Sequence, residues 1–295
     1  MHIYLLSLLL ILAPITTVGQ TTSERPDSTK AAARKVFEAN HDKVYGVKTL
    51  TKMEIEMQGR QVPGREIPAY GIGTVIAEDM LVASYRAIKP SPNLQRLSQA
   101  QAQSISISTE VKEIKLVDSS GEEFDAKLVL HDEDLDLAFI AVDKKGENAD
   151  SWSCSPINID EDVELQHLDE AVFLSRANES LRFQPSIRLG QVTTVIKRPR
   201  KLYSTDSMIL SGAAFNLDGQ YVGMGIRKKS GSGVEFSVIL PAKYIRKLLP
   251  QAIEKANSME SDEIAENSDA TDEPVEEKES GEESSKEVDD SDDGK

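Results

Sequence analysis

The sequence predicts an all-β fold, a barrel or sandwich of short strands, preceded by one helix and closed by another. Three observations predict it. Between residues 44 and 241 the chain breaks into runs rich in Val, Ile and Leu, punctuated by Gly, Pro, Asp and Asn. Many short strands with turn signals between them indicate closed or stacked sheets. On either side, the apolar spacing switches to that of a helix face. The single cysteine, Cys154, excludes an intrachain disulfide; the core must hold by burial alone, and about 210 residues suffice for that.

Taken in order, residues 27–40 (DSTKAAARKVFEAN) combine a capping Asp or Ser, an alanine run and the apolar pair Val36 and Phe37. They read as a helix. Strand-like runs follow at 44–50, 69–77, 80–85, 111–118, 124–132 and 135–143, then at 170–175, 187–197, 207–216, 220–227 and 234–241. Residues 89–109, rich in Gln and Ser, read as a long surface loop. Asp218-Gly219 between two strand-like runs is a hairpin signal. From Pro241, suited to a first helical position, Tyr244, Ile245, Leu248 and Leu249 share one face, which predicts a closing helix over 241–256.

The two ends differ from the middle. Residues 1–19 carry an apolar run from Ile3 to Leu12 followed by small and turn-prone residues. That run is short for a membrane span and fits a secretory signal peptide, with a retained N-terminal anchor as the alternative. A signal peptide implies a secreted, periplasmic or envelope protein with no membrane span after cleavage. Residues 20–43 form an N-terminal segment with the first helix. Residues 257–295 hold seventeen Asp or Glu against three Lys, which accounts for −14 of the chain's net −16. With almost no apolar content this acidic tail is expected to be disordered, serving solubility or attracting cations and basic partners.

No motif implies a cofactor or a metal. "YGIGTVIAE" lacks the third glycine of a dinucleotide fingerprint and leads into a strand. "DEDLD" (132–136) begins like a calcium loop but has Leu137 where glycine is needed and Asp143 at the last position. His2, His41, His131 and His167 have no metal-type spacing. "KRPRK" (197–201) and "RKK" (227–229) form a basic rim, read as loop surface and not as a nucleic-acid site. Asn178-Glu179-Ser180 matches a glycosylation sequon formally.

Five segments, in order, carry a resemblance: "KVFEANHDKVYGVKTL", "GIGTVIAEDMLVASYRAI", "GEEFDAKLVLHDEDLDLAFIAVD", "YSTD" with "SGAAFNLDGQYVGMGI", and "FSVILPAKYIRKLL". The chain resembles the trypsin-like serine proteases of the HtrA/Deg group from about residue 36 to 249. The resemblance implies two six-stranded antiparallel barrels, about 44–150 and 160–240, within a domain spanning 44–256. The acidic tail stands where this group usually carries a PDZ module.

Carried over residue by residue, the acid position of the triad falls on Asp136. The base position, His in the family, falls on Arg86. A guanidinium stays protonated and cannot accept a serine proton, though it can pair with a carboxylate. The nucleophile position falls on Leu210 without gaps, or on Ser211 with one deletion. The stretch after Asp206 is shorter than the family's loop, which supplies the N–H donors of the oxyanion hole. No catalytic set is intact. The expectation is a pseudoprotease that binds an extended peptide or protein segment in the inter-barrel cleft by strand addition. The alternatives are an active endopeptidase with Ser211 served by a nearby Lys, and a purely structural envelope protein.

Overall fold

The computed structural model describes residues 25–57, 60–90, 105–207, 211–229 and 235–269. A helix, α1 (Asp27–Asn40), leads into six strands: β1 (Val44–Met57), β2 (Arg60–Ala77), β3 (Met80–Ala83), β4 (Ile105–Val117), β5 (Glu123–Asp132) and β6 (Leu137–Val142). They close into an antiparallel barrel in the order β1-β2-β3-β6-β5-β4. The short helix α2 (Tyr85–Ile88) follows β3. Six more strands, β7 (Glu170–Arg176), β8 (Pro185–Ile196), β9 (Leu202–Thr205), β10 (Gly212–Phe215), β11 (Tyr221–Lys229) and β12 (Glu235–Pro241), close a second barrel before helix α3 (Ala242–Asp269). Its ring order, β7-β8-β9-β12-β11-β10, repeats that of the first. Two six-stranded barrels with a helix at each end are consistent with a trypsin-like double barrel.

The strongest strands read as unbroken apolar runs because they are buried on both faces. In β6, Ala138, Ile140 and Val142 fill the first barrel, while Leu137 and Phe139 pack outward into a core shared with the second. In β7, Ala171 and Phe173 face the second barrel's interior and Val172 and Leu174 the shared core. This is the two-residue alternation of a pleated strand. The shared core also takes Ala33 and Val36 of α1 and Ile245 and Ala252 of α3.

Arg176 and Phe183 help to tie the barrels together. Arg176 of β7, nearly fully buried, donates its Nε–H to the carbonyl of Val44 and an Nη2–H to that of His41. The β7–β8 connection brings Phe183 onto Gly46 of β1, where a Cβ would lie 2.4 Å from the ring. Arg182 and Phe183 both take left-handed backbone there, φ 52° and 51°, which side chains rarely adopt without compensation from their surroundings.

Several boundaries differ from the sequence reading. β1 and β2 continue past 50 and begin before 69 as one long ribbon, since buried Thr51 and Met53 alternate with partly or fully exposed Lys52 and Glu54. The end of the 89–109 loop is strand: β4 begins at Ile105 and pairs with β1 to its tip. The remainder of that loop, residues 91–104, lies outside the described residues. The run 80–85 stops at Ala83, because Ser84 caps α2 through its hydroxyl. Pro26 precedes α1 with no side-chain cap bond, so neither Asp27 nor Ser28 caps it.

The closing helix runs on through 257–269, which the sequence assigned to the tail. Met259 packs against the shared core and Glu260 pairs with Lys144 at 3.2 Å, contacts that helical spacing cannot reveal. Residues 270–295 and the signal-peptide reading of 1–19 lie outside the described residues. Among the described residues no helix is long and apolar enough to cross a membrane.

Candidate functional site

The site centres on the turn between β5 and β6. Asp132 Oδ1 accepts the N–H of Leu135, which closes the turn, and Asp136 follows in left-handed conformation at φ 61°, fully buried. Aspartate is among the few side chains that tolerate that region. The main-chain carbonyl of Asp136 accepts the N–H of Tyr85 at 3.3 Å. Its carboxylate takes two further donors: the main-chain N–H of Arg86 to Oδ1 at 2.9 Å, and Ser84 Oγ to Oδ2 at 2.9 Å. Ser84 also accepts from Ala87 N–H, so one hydroxyl caps α2 and braces the acid.

Burial pushes the Asp136 carboxyl above the usual aspartate range, against the pull of those two donors and of the Arg86 and Lys228 charges. Arg86 reaches Asp136 through its backbone, and its side chain is exposed. The structure thus brings Arg86 and Asp136 together, with the guanidinium acting on the acid through its field.

Two cations of the second barrel converge on the same turn. Lys228 Nζ of β11 and Arg200 Nη1 of the β8–β9 connection both donate to the carbonyl of Asp134, at 2.5 and 3.0 Å. Lys228 is half-buried and its ammonium pKa is pushed down, chiefly by burial and also by Arg200 and Arg86, with Asp136 and Asp134 opposing. β10 pairs with β11 from Phe215↔Tyr221 to Gly212↔Gly225. From Ile226 to Lys229 that side of β11 has no strand partner among the described residues.

Ser211 stands immediately before β10, 6% exposed, and its Oγ has no hydrogen-bond partner among the described residues. Gly212 after it has φ 139°, and a Cβ there would meet the Leu174 carbonyl at 2.2 Å, so only glycine fits against β7. Leu210, the other candidate, lies outside the described residues. Among the described residues, His131 stacks on Tyr85 and His41 on Phe37, and the Asp136 carboxylate accepts from Ser84 Oγ and the Arg86 main chain. Chemically, the arrangement has a held acid, a permanent cation and a buried hydroxyl without a hydrogen-bond partner among the described residues.

Ser84 escaped the sequence reading, although a serine just before a helical turn is a capping signal. Arg200 and Lys228 stood in the basic rim, but only the fold brings them to the Asp134 turn. Compared with protein-family models and with curated proteins, the chain matches none.

Proposed function

We propose that this chain is an exported, HtrA-like member of the trypsin-like group that no longer cleaves peptide bonds and instead binds extended peptide or protein segments between its barrels. The observation that carries the reading is Arg86 at the base position, with Asp136 already engaged by Ser84 and by the Arg86 main chain. Proton removal from a serine needs a group with a lone pair free to accept the proton, and a guanidinium has none. The buried Ser211 hydroxyl, without a hydrogen-bond partner among the described residues, supports the same reading. Binding is supported by the double barrel itself, whose two halves meet at the Asp134 turn through Arg200 and Lys228.

The test is to mix the full chain with an unfolded, fluorescently labelled protein. The expected result is a complex from which the labelled protein is recovered intact. Fragments whose formation stops on Ser211→Ala would establish the alternative, an active endopeptidase using Ser211.

A further inference from the structure

Two cations of the second barrel share one acceptor. Lys228 Nζ of β11 and Arg200 Nη1 of the β8–β9 connection donate to the same oxygen, the main-chain carbonyl of Asp134, at 2.5 and 3.0 Å. Two bonds of that length to one oxygen hold the nitrogens within about 5.5 Å of each other, where like charges repel in partly desolvated surroundings. Both side chains are half-buried. A third cation, Arg86, adds to the same field from the first barrel. Two carboxylates oppose them. Asp134 is exposed to solvent that screens it, and Asp136 is fully buried and accepts from Ser84 Oγ and the Arg86 main chain. Burial is the largest influence on Lys228 and pushes its ammonium pKa down, and the two arginines act in the same direction.

Of the three cations, only the lysine can shed its charge. A guanidinium stays protonated, whereas an amine that has lost its proton still carries N–H groups and gains a lone pair. Neutral Lys228 therefore keeps its hydrogen bond to Asp134 and becomes a nucleophile. The surroundings favour an electrophile whose adduct is an anion, because an anion at this place turns two repulsions into attractions. Carbon dioxide is such an electrophile and needs no activation. The Nζ lone pair forms the N–C bond, one C=O π pair moves onto oxygen, and the nitrogen releases one proton to solvent. An amine and carbon dioxide thus give a carbamate and a proton, with no oxidant or reductant. The carbamate nitrogen retains one N–H for the Asp134 carbonyl. Its carboxylate end suits the donor fork of a guanidinium as other carboxylates do.

We propose that Lys228 is a carbamylation site, which takes up carbon dioxide as a carbamate held by Arg200 and Arg86 through charge-assisted hydrogen bonds. The modification lowers the charge of this cluster by two, so the junction between the barrels responds to dissolved carbon dioxide. It concerns the amine and its neighbours alone and goes beyond the peptide-binding reading without depending on it.

The experiment equilibrates the full chain with isotope-labelled bicarbonate near neutral pH, which supplies carbon dioxide. Triethyloxonium is then added to fix any carbamate as its ethyl ester, and the ester is located by peptide mapping. The expected product is a labelled ester on Lys228, in a yield several-fold above that on Lys35, which is exposed on α1. Arg200→Ser and Arg86→Ser should each lower the Lys228 yield several-fold and leave that of Lys35 unchanged. A wild-type yield on Lys228 no higher than on Lys35, or one that neither arginine variant lowers, would overturn the proposal. The wild-type comparison of the two lysines decides even where an arginine variant does not fold.

Discussion

Asp136 Oδ1 accepts the main-chain N–H of Arg86 at 2.9 Å, while Ser84 Oγ donates to the other carboxylate oxygen. The acid is therefore held by a backbone group that any residue but proline would supply, and by the hydroxyl that caps α2. The side chain of Arg86 is not needed to hold it.

That geometry separates two substitutions. Arg86→Ala retains the N–H and should cost under about 1 kcal/mol in urea unfolding, as an exposed side chain does. Ser84→Ala removes a donor from a buried carboxylate and should cost about 1.5–3 kcal/mol. A larger loss for Arg86→Ala would mean that the guanidinium, not the backbone, secures Asp136.

The protonation of Asp136 gives a second outcome. Its folded pKa is raised, burial being the largest cause. A raised acid binds its proton more tightly in the folded chain, so its contribution to stability grows as pH falls through the folded pKa and is complete below the unfolded one. Asp136→Asn removes this titration and suits left-handed backbone. Unfolding of both proteins between about pH 7 and pH 3 should therefore find the wild type gaining on the variant as acid is added. The opposite trend would mean that the hydrogen bonds outweigh burial.

Gly46 and Phe183 should be coupled. A Cβ at 46 meets the Phe183 ring at 2.4 Å, so Gly46→Ala should cost about 1–3 kcal/mol through overpacking. In a Phe183→Ala background the clash is gone and the cost should shrink by 1 kcal/mol or about that. Equal costs in both backgrounds would mean that the β7–β8 connection does not pack there in solution.

Legibility in the sequence followed burial. β6 and β7 are apolar on both faces, and β11 and β12 are bounded by turn residues, so their runs stand out. The ribbon of β1, β2 and β4 beyond the barrel wall does not stand out, because its exposed face and tip carry Lys52, Glu54 and Glu56, which dilute the pattern. At the site, Arg86 and Asp136 stand out by their place in the order of motifs that carries the resemblance. Ser84 and the paired reach of Arg200 and Lys228 to Asp134 depend on which loop of one barrel faces which strand of the other. That is long-range information, which no local spacing holds.

The extent of α3 can be checked by truncation. Removing residues 257–295 takes away Met259 from the core and Glu260 from Lys144, whereas removing 270–295 touches neither. The first truncation should lose about 1–3 kcal/mol more than the second in thermal or urea unfolding. Equal stability would return the end of the helix to residue 256, where the sequence had it.

The central claim, that this chain binds without cleaving, is met most directly by a fluorophosphonate probe, which labels only serines made nucleophilic by their surroundings. With Arg86 beside Asp136 and Ser211 buried without a partner among the described residues, wild-type labelling should not exceed that of Ser211→Ala, and Arg86→His alone should not raise it. Stoichiometric labelling of the wild type that Ser211→Ala abolishes would contradict the account.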